Sequence, residues 1–176
     1  DQPLTVLFTS GTTGAPKGVV LTHTNLLFEA ESSNTTAGTS EPGITLSYLP
    51  FAHIAERILG MYIPQYQSGH VHLIADPALL VGALAEVRPT RFFGVPRVWE
   101  KIRTGVSARL AAEPDEQKRA GVEQAMAVGL EYVEALQFGN SPSAELTAQF
   151  RAVDEAVLGL LRGLLCLDRC EWAASA

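Results

Sequence analysis

The run Thr9-Ser10-Gly11-Thr12-Thr13-Gly14-Ala15-Pro16-Lys17-Gly18 decides how the rest of the chain is read. Before it, Leu4-Thr5-Val6-Leu7-Phe8 is short, apolar and β-branched, the pattern of a buried strand. After it, Val19-Val20-Leu21 predicts a second short strand, and Thr22 is placed to cap a helix running through Leu26 and Leu27. The loop between them has a particular chemistry. Its glycines let the backbone turn tightly and approach a ligand closely. Its hydroxyls and backbone N–H groups offer many donors with no competing negative charge, and Lys17 adds a mobile positive point charge suited to a terminal phosphate. A Walker-type loop is excluded, because it needs Gly-x-x-x-x-Gly-Lys followed by Ser or Thr, whereas Lys17 here follows Pro16 and precedes Gly18. Hairpins usually close in about two to five residues, so a polar stretch of this length ending in Pro-Lys-Gly is poorly explained as a plain hairpin loop. Phosphate binding is the expectation.

Outward from this loop, strands and helices alternate with short connections. A helix is expected over residues 22 to about 37, ending at Gly38, and Ile44 to Leu49 alternates apolar and polar residues as a strand closed by Pro50. Ile54, Ile58, Leu59, Tyr62 and Ile63 have helical spacing within residues 54–66. His70 to Ile74 reads as a strand, residues 77–87 as a helix with Pro77 at its start, and Arg91 to Val95 as another strand. This alternation predicts an α/β fold, a mainly parallel sheet covered by helices. From Val98 onward the chain is helical. Val122, Met126, Gly129, Val133 and Leu136 form one apolar seam, and Leu146, Phe150, Val153, Val157 and Leu160 form another. Gly139-Asn140-Ser141-Pro142 separates them, which predicts a helical hairpin in the C-terminal half. The domain reading is an α/β core over 1–104, a helical region over 105–165, and the start of a further segment over 166–176.

The bulk properties narrow the class. Hydrophobic residues make up 47% and charged ones 18%, a globular rather than a disordered balance. A net charge of −6 argues against a polyanion-binding surface, so no nucleic-acid partner is expected. The longest apolar run, Val157 to Leu167, contains Arg162 and is far short of the roughly 20 residues that span a bilayer. The acidic residues Glu113, Glu116, Glu123, Glu131 and Glu134 also make the first hairpin helix unlike a lipid-binding one. Cys166 and Cys170 lack the further ligands of a metal site and read as reduced thiols.

The ten residues from Thr9 to Gly18 resemble the phosphate-binding signature of the adenylate-forming superfamily, to which acyl-CoA synthetases, firefly-type luciferases and nonribosomal-peptide adenylation domains belong. Leu49-Pro50-Phe51-Ala52-His53-Ile54-Ala55-Glu56-Arg57, Val87-Arg88-Pro89-Thr90 and Gly94-Val95-Pro96-Arg97-Val98-Trp99-Glu100-Lys101 are similar to the long-chain fatty acyl-CoA synthetase branch, including its bubblegum-type subgroup. The resemblance is strong over residues 4–104 and weak from there to 165. It implies part of an adenylate-forming N-terminal domain, with the remainder of its own polypeptide as a partner. It also implies ATP, Mg2+ and coenzyme A as cofactors or co-substrates, and a fatty acid as substrate. Cytoplasmic localisation follows, with peripheral membrane association of the full protein as an open variant.

The resemblance implies the site roles as well. Thr9, Ser10, Gly11, Thr12, Thr13, Gly14 and Lys17 would hold the nucleotide phosphates, with Lys17 catalytic in neutralising the departing pyrophosphate. Thr9 would also contribute to the metal site; the competing reading makes it a residue that ends the strand. His53 would lie beside the acyl and adenylate pocket at the carboxyl edge of the sheet, and Gly94 would leave room there for an acyl chain. Glu56 and Arg57 either pair with each other or line the entrance. His70 and His72 share a strand face and are expected to pack or face solvent. The aromatic-Gly-x-Thr-Glu, Thr-Gly-Asp and C-terminal lysine elements of the superfamily find no match after residue 165, so the chain alone is expected to be inactive. Activity on another carboxylic acid, or a non-catalytic phosphate-binding remnant, are the alternatives.

Overall fold

A computed structural model describes residues 1–9, 14–37 and 42–175. It divides the chain into two units, Asp1–Phe93 with Arg169–Ala174, and Gly94–Asp168.

The first unit opens with strand β1 (Pro3–Thr9) and strand β2 (Lys17–Thr22). They pair antiparallel in register from Thr5↔Leu21 to Thr9↔Lys17. The two strands are thus the arms of a hairpin, and the residues that join them outnumber those of a usual tight turn. Helix α1 (His23–Ala37) follows directly. Its first turn is closed reciprocally: the Asn25 N–H donates to the Thr22 hydroxyl at 3.3 Å, and the Thr22 N–H donates to Asn25 Oδ1 at 3.0 Å. That is the capping role expected of Thr22.

Strand β3 (Ile44–Ser47) is central in a four-stranded parallel sheet with strand β4 (His70–Leu73), strand β5 (Arg91–Phe93) and strand β6 (Trp172–Ala174), in the order β4-β3-β5-β6. Its pairings with β4 and β5, and that of β5 with β6, are all parallel. The parallel sheet expected from the alternation is present, with two differences. The alternation in β3 does not mark one wet face: Thr45, Leu46, Ser47 and Tyr48 are all buried. Parallel sheets are covered on both faces, so the two hydroxyl residues need partners; Thr45 donates to the Arg91 carbonyl and Ser47 to Glu56. The second difference is β6. Trp172 to Ala174 carries no long apolar run, yet it lies along β5 in register Arg91↔Trp172, so the 166–176 stretch adds a strand to the first unit's sheet.

Helix α2 covers residues 54–66, as an α-turn (Ile54–Arg57), a π-turn (Ile58–Tyr62) and a closing α-turn (Ile63–Tyr66). Pro64 brings no N–H and its ring crowds the preceding turn, and a π-turn is how a helix absorbs such a residue without breaking. Helix α3 starts as a 3₁₀ turn (Pro77–Leu79), where Asp76 accepts from the Ala78 N–H at 2.8 Å, and continues as Leu80–Val87. Phe92 is fully enclosed, with Leu46, Leu80 and Leu84 also buried in this unit.

The second unit is helical: α4 (Pro96–Ala111), α5 (Glu116–Ala135), and α6, which runs over residues 144–164 with a π-turn at Asp154–Leu158. Asp115 caps α5 through the N–H groups of Gln117 and Lys118, and Ser143 caps α6 through that of Leu146. Helices α5 and α6 form the expected hairpin, but α5 is turned by about one position from its predicted seam. Tyr132 stacks on Phe150 with ring centroids 4.0 Å apart, Gly129 lies against Leu158, and Ala125 is buried. Met126, Val133 and Leu136 face outward instead. Small residues decide this, because Ala125 and Gly129 let the helix backbones approach more closely than a row of methionine and valine would.

Candidate functional site

Phosphate binding is expected of the stretch between β1 and β2, and the structure describes its two ends. Thr9 and Lys17 face each other where β1 and β2 end, and the Thr9 hydroxyl donates to the Lys17 carbonyl at 3.4 Å. Both side chains are exposed at this mouth. Gly14 has φ of +129°, a left-handed conformation that a side chain would strain. Ser10, Gly11, Thr12 and Thr13 lie outside the described residues. For a cation, the hard side-chain oxygen at this mouth among the described residues is the Thr9 hydroxyl, and among those residues no cluster of three or more His, Cys, Asp or Glu side chains is assembled to hold a metal. Magnesium often takes only one or two protein ligands alongside substrate phosphates, so Thr9 fits it as one ligand among several.

At the carboxyl edge of the sheet, residues 48–53 lead from β3 into α2. His53 is the residue before the first helical turn, with extended backbone and an exposed side chain, and its N–H donates to the Pro50 carbonyl at 3.0 Å. It is where the strand-end reading put it. Beneath this turn lies a group that the sequence reading left undecided. Glu56 is 3% exposed and accepts hydrogen bonds from the Ser47 hydroxyl and from the backbone N–H groups of Leu49 and Tyr48. Burial pushes its carboxyl above the usual carboxylate range, against the lowering effect of those donors. Arg57 points elsewhere: its Nε donates to the Phe51 carbonyl at 2.6 Å and its guanidinium to the Thr5 hydroxyl. The adjacent acid and base do not pair. Glu56 ties the turn to β3 and Arg57 ties it to β1, and together they hold the segment that presents His53. Adjacent residues on a helix point about 100° apart, which is the signal against direct pairing that spacing alone contained.

Gly94 belongs to the second unit. A Cβ there would lie 2.6 Å from Trp99 Nε1, which donates to the Gly94 carbonyl at 2.8 Å. The space beside this glycine is taken by an indole, which supplies a reason for glycine other than room for a ligand. His70 and His72 stack on each other with ring centroids 4.4 Å apart, in keeping with a packing role. Cys166 and Cys170 are free thiols, as read from the sequence.

A cavity of about 310 Å³ lies in the first unit. Leu59, Ile63 and Gln67 of α2 and its end, Thr45 of β3, Phe93 of β5 and Trp172 of β6 contribute to its wall; neither Lys17 nor His53 does. Its size falls within the range of small-molecule sites. Sequence reasoning missed it because its walls come from elements far apart in the chain.

The family model described as AMP-binding enzyme matches residues 1–160. A provisionally named fatty-acid–CoA ligase of Mycobacterium tuberculosis, fadD11, is 42% identical over 99% of this chain and 31% of its own length. The long-chain-fatty-acid–CoA ligase ACSBG2 of Gallus gallus is 36% identical over 97% of this chain and 23% of its own. The chain thus spans less than a third of the curated relatives it matches. Among solved structures, O-succinylbenzoate coenzyme A synthetase of Bacillus subtilis in complex with AMP superposes with a TM-score of 0.51 at 27% identity, over 66% of this chain and 29% of that one.

Proposed function

The chain belongs to the AMP-binding enzyme family, and from that premise we propose that it supplies the phosphate-handling part of a long-chain fatty acid–CoA ligase, an acid–thiol ligase. In this reaction a fatty acid carboxylate attacks the α-phosphate of ATP, forming the acyl adenylate and expelling pyrophosphate. The thiol of coenzyme A then attacks the acyl carbonyl, and AMP leaves. Negative charge grows on the pyrophosphate as it departs, so a fixed cation and prearranged donors around it lower the barrier.

The observation that carries this reading is the hairpin register. It sets Lys17 opposite Thr9 at the two ends of a Gly/Ser/Thr connection, so the cation is anchored on a paired strand rather than on a free loop. On this reading Lys17 neutralises the leaving group, and Ser10, Thr12, Thr13 and the amides of Gly11 and Gly14 donate to phosphate oxygens. The Thr9 hydroxyl lends one oxygen to Mg2+, which when bound offsets charge on the phosphates. His53, held by the turn that Glu56 and Arg57 fix, lies beside the reacting carboxylate. A bubblegum-type substrate range, with acids of long chain, fits the relatives' names. No described helix is long and apolar enough to cross a membrane, and the proposed place of action is the cytoplasm or, peripherally, a membrane surface.

The test is Lys17→Ala in the full-length protein. Because Lys17 is exposed, thermal melting should be unchanged, while ATP–pyrophosphate exchange driven by fatty acid should slow about 10²-fold, the usual loss for one prearranged donor. Exchange at the parent rate would remove Lys17 from the mechanism.

A further inference from the structure

We propose that Arg57 is a positioning residue of the adenylation step: it fixes the spacing between the β1–β2 hairpin and the turn that presents His53, so that nucleotide and acid meet at reacting distance. This rests on the ligase reading and deepens it. The two halves of the site stand on different sheets. Thr9 and Lys17 belong to the two-stranded β1–β2 sheet, whereas the turn that carries His53 follows β3 of the four-stranded one. Among the described residues no strand pairing joins the two sheets. Close packing also leaves a gap at this junction. A groove of about 850 Å³ is lined by Leu4 and Thr5 of β1, by Phe51 of the turn and by Arg57.

Arg57 bridges that gap. Its Nε donates to the Phe51 carbonyl at 2.6 Å, and its Nη1 donates to the Thr5 hydroxyl. Phe51 lies two residues before His53, and Thr5 lies four residues before Thr9 on the same strand. The register runs without a shift from Thr5↔Leu21 to Thr9↔Lys17, so a hold on Thr5 is carried along paired backbone to the phosphate end. A guanidinium suits this task. Its planar fork sets donors at fixed angles, and its charge strengthens each bond; a lysine is a point charge on a flexible stem. A displacement of about 1 Å between reactants can cost about 10²-fold in rate, so a tie remote from the reacting atoms still acts on adenylation. Attack by coenzyme A differs, because it starts from the acyl adenylate, in which acyl group and phosphate are already one molecule. The tie therefore matters in the first half-reaction and little in the second.

The experiment uses the full-length protein and its Arg57→Lys, Thr5→Val and Thr5→Ser variants, with thermal melting as the check on folding. In Arg57→Lys, kcat for palmitate-dependent ATP–pyrophosphate exchange should fall about 10²-fold. KM for ATP and for palmitate should stay near the parent values, because each half of the site keeps its own contacts. Thr5→Val, which removes the acceptor alone, should lower kcat about tenfold, the weight of one hydrogen bond to a charged group. Thr5→Ser, which keeps the hydroxyl, should run at the parent rate. Thioester formation from synthetic palmitoyl adenylate and coenzyme A should be unchanged in all three. Exchange at the parent rate in folded Arg57→Lys overturns the proposal and leaves the ligase reading standing. Equal losses in both half-reactions, the mark of a merely structural residue, do the same, as does a loss confined to KM. If Arg57→Lys does not fold, the contrast between Thr5→Val and Thr5→Ser decides: equal exchange rates in the two overturn the proposal. A parent that neither exchanges pyrophosphate nor forms thioester from the adenylate removes the ligase reading and the proposal with it.

Discussion

The parallel sheet and the helical unit are built from similar apolar side chains and dispose of them in opposite ways. In the first unit Phe92 is 0% exposed, and polar Thr45, Ser47, Glu56 and Gln67 are buried alongside it. In the second, α5 buries Ala125 and leaves Leu130 at 61% and Val133 at 55% exposed, while Phe138 beyond its end is 98% exposed. A sheet covered on both faces encloses its central strands whatever their side chains are, so it forces polar groups to find partners. A two-helix contact encloses only a stripe. Buried chemistry is therefore concentrated in the sheet unit, and the helical unit offers surface.

The largest expected effect measures that contrast directly. Phe92→Ala should cost about 3–5 kcal/mol, the usual loss for a fully enclosed phenylalanine, and should lower the denaturation midpoint accordingly. Phe138→Ala should stay within about 0.5 kcal/mol, as an exposed truncation does. Equal losses for the two would mean that Phe138 is covered and that the contrast is false.

How much of this was legible beforehand follows from the same contrast. In the first unit, turn residues, proline and apolar runs marked the elements before residue 94 within a few residues, because Pro50, Pro77 and the Gly/Thr run act on the backbone locally. The strand–helix order gave the parallel sheet, and the Thr9–Gly18 run gave the family. Not legible were the interactions set by contact between distant segments: Ser47 with Glu56 and the two backbone N–H groups, Arg57 with Thr5, Trp172 beside β5, and the cavity that reaches Gln67. In the second unit the spacing of Val122, Met126, Gly129 and Val133 was compatible with an adjacent stripe through Ala125, Gly129 and Tyr132. Both stripes contain Gly129. Periodicity cannot choose between them, whereas the closer packing permitted by alanine and glycine does.

A smaller effect sharpens the claim that the sheet unit buries its chemistry. Burial raises the Glu56 pKa in the folded state. The folded protein then keeps a proton that the unfolded chain gives up near the ordinary glutamate pKa of about 4.3. This contribution to stability is complete at and below that value and is lost as pH rises through the raised folded pKa. Denaturation midpoints measured across the acid range should show this fall in the parent and lack it in Glu56→Gln, where no proton is exchanged. The same pH slope in both proteins would mean that Glu56 is not the group responsible.

The smallest expected effect concerns the face of α5 that the contact leaves uncovered. An apolar seam at Val133 would make Val133→Asp cost several kcal/mol, by burying a charge. With Val133 more than half exposed, two minor terms remain. Aspartate and valine have similar helix propensity, and neither Gly129 nor Gln137, four positions away on either side, sets a like charge against it. Val133 is, however, in the last turn of α5, which ends at Ala135. There a negative charge opposes the helix dipole by about 0.3–1 kcal/mol and a positive one gains a similar amount. Val133→Asp should therefore lower stability by less than about 1 kcal/mol, and Val133→Lys should leave it level or raise it slightly. The two variants separate the readings by sign as well as size, because a buried seam rejects both charges while an exposed helix end distinguishes them. A loss of several kcal/mol in both would restore the seam through Met126, Val133 and Leu136, and would make the helical unit a second enclosed core.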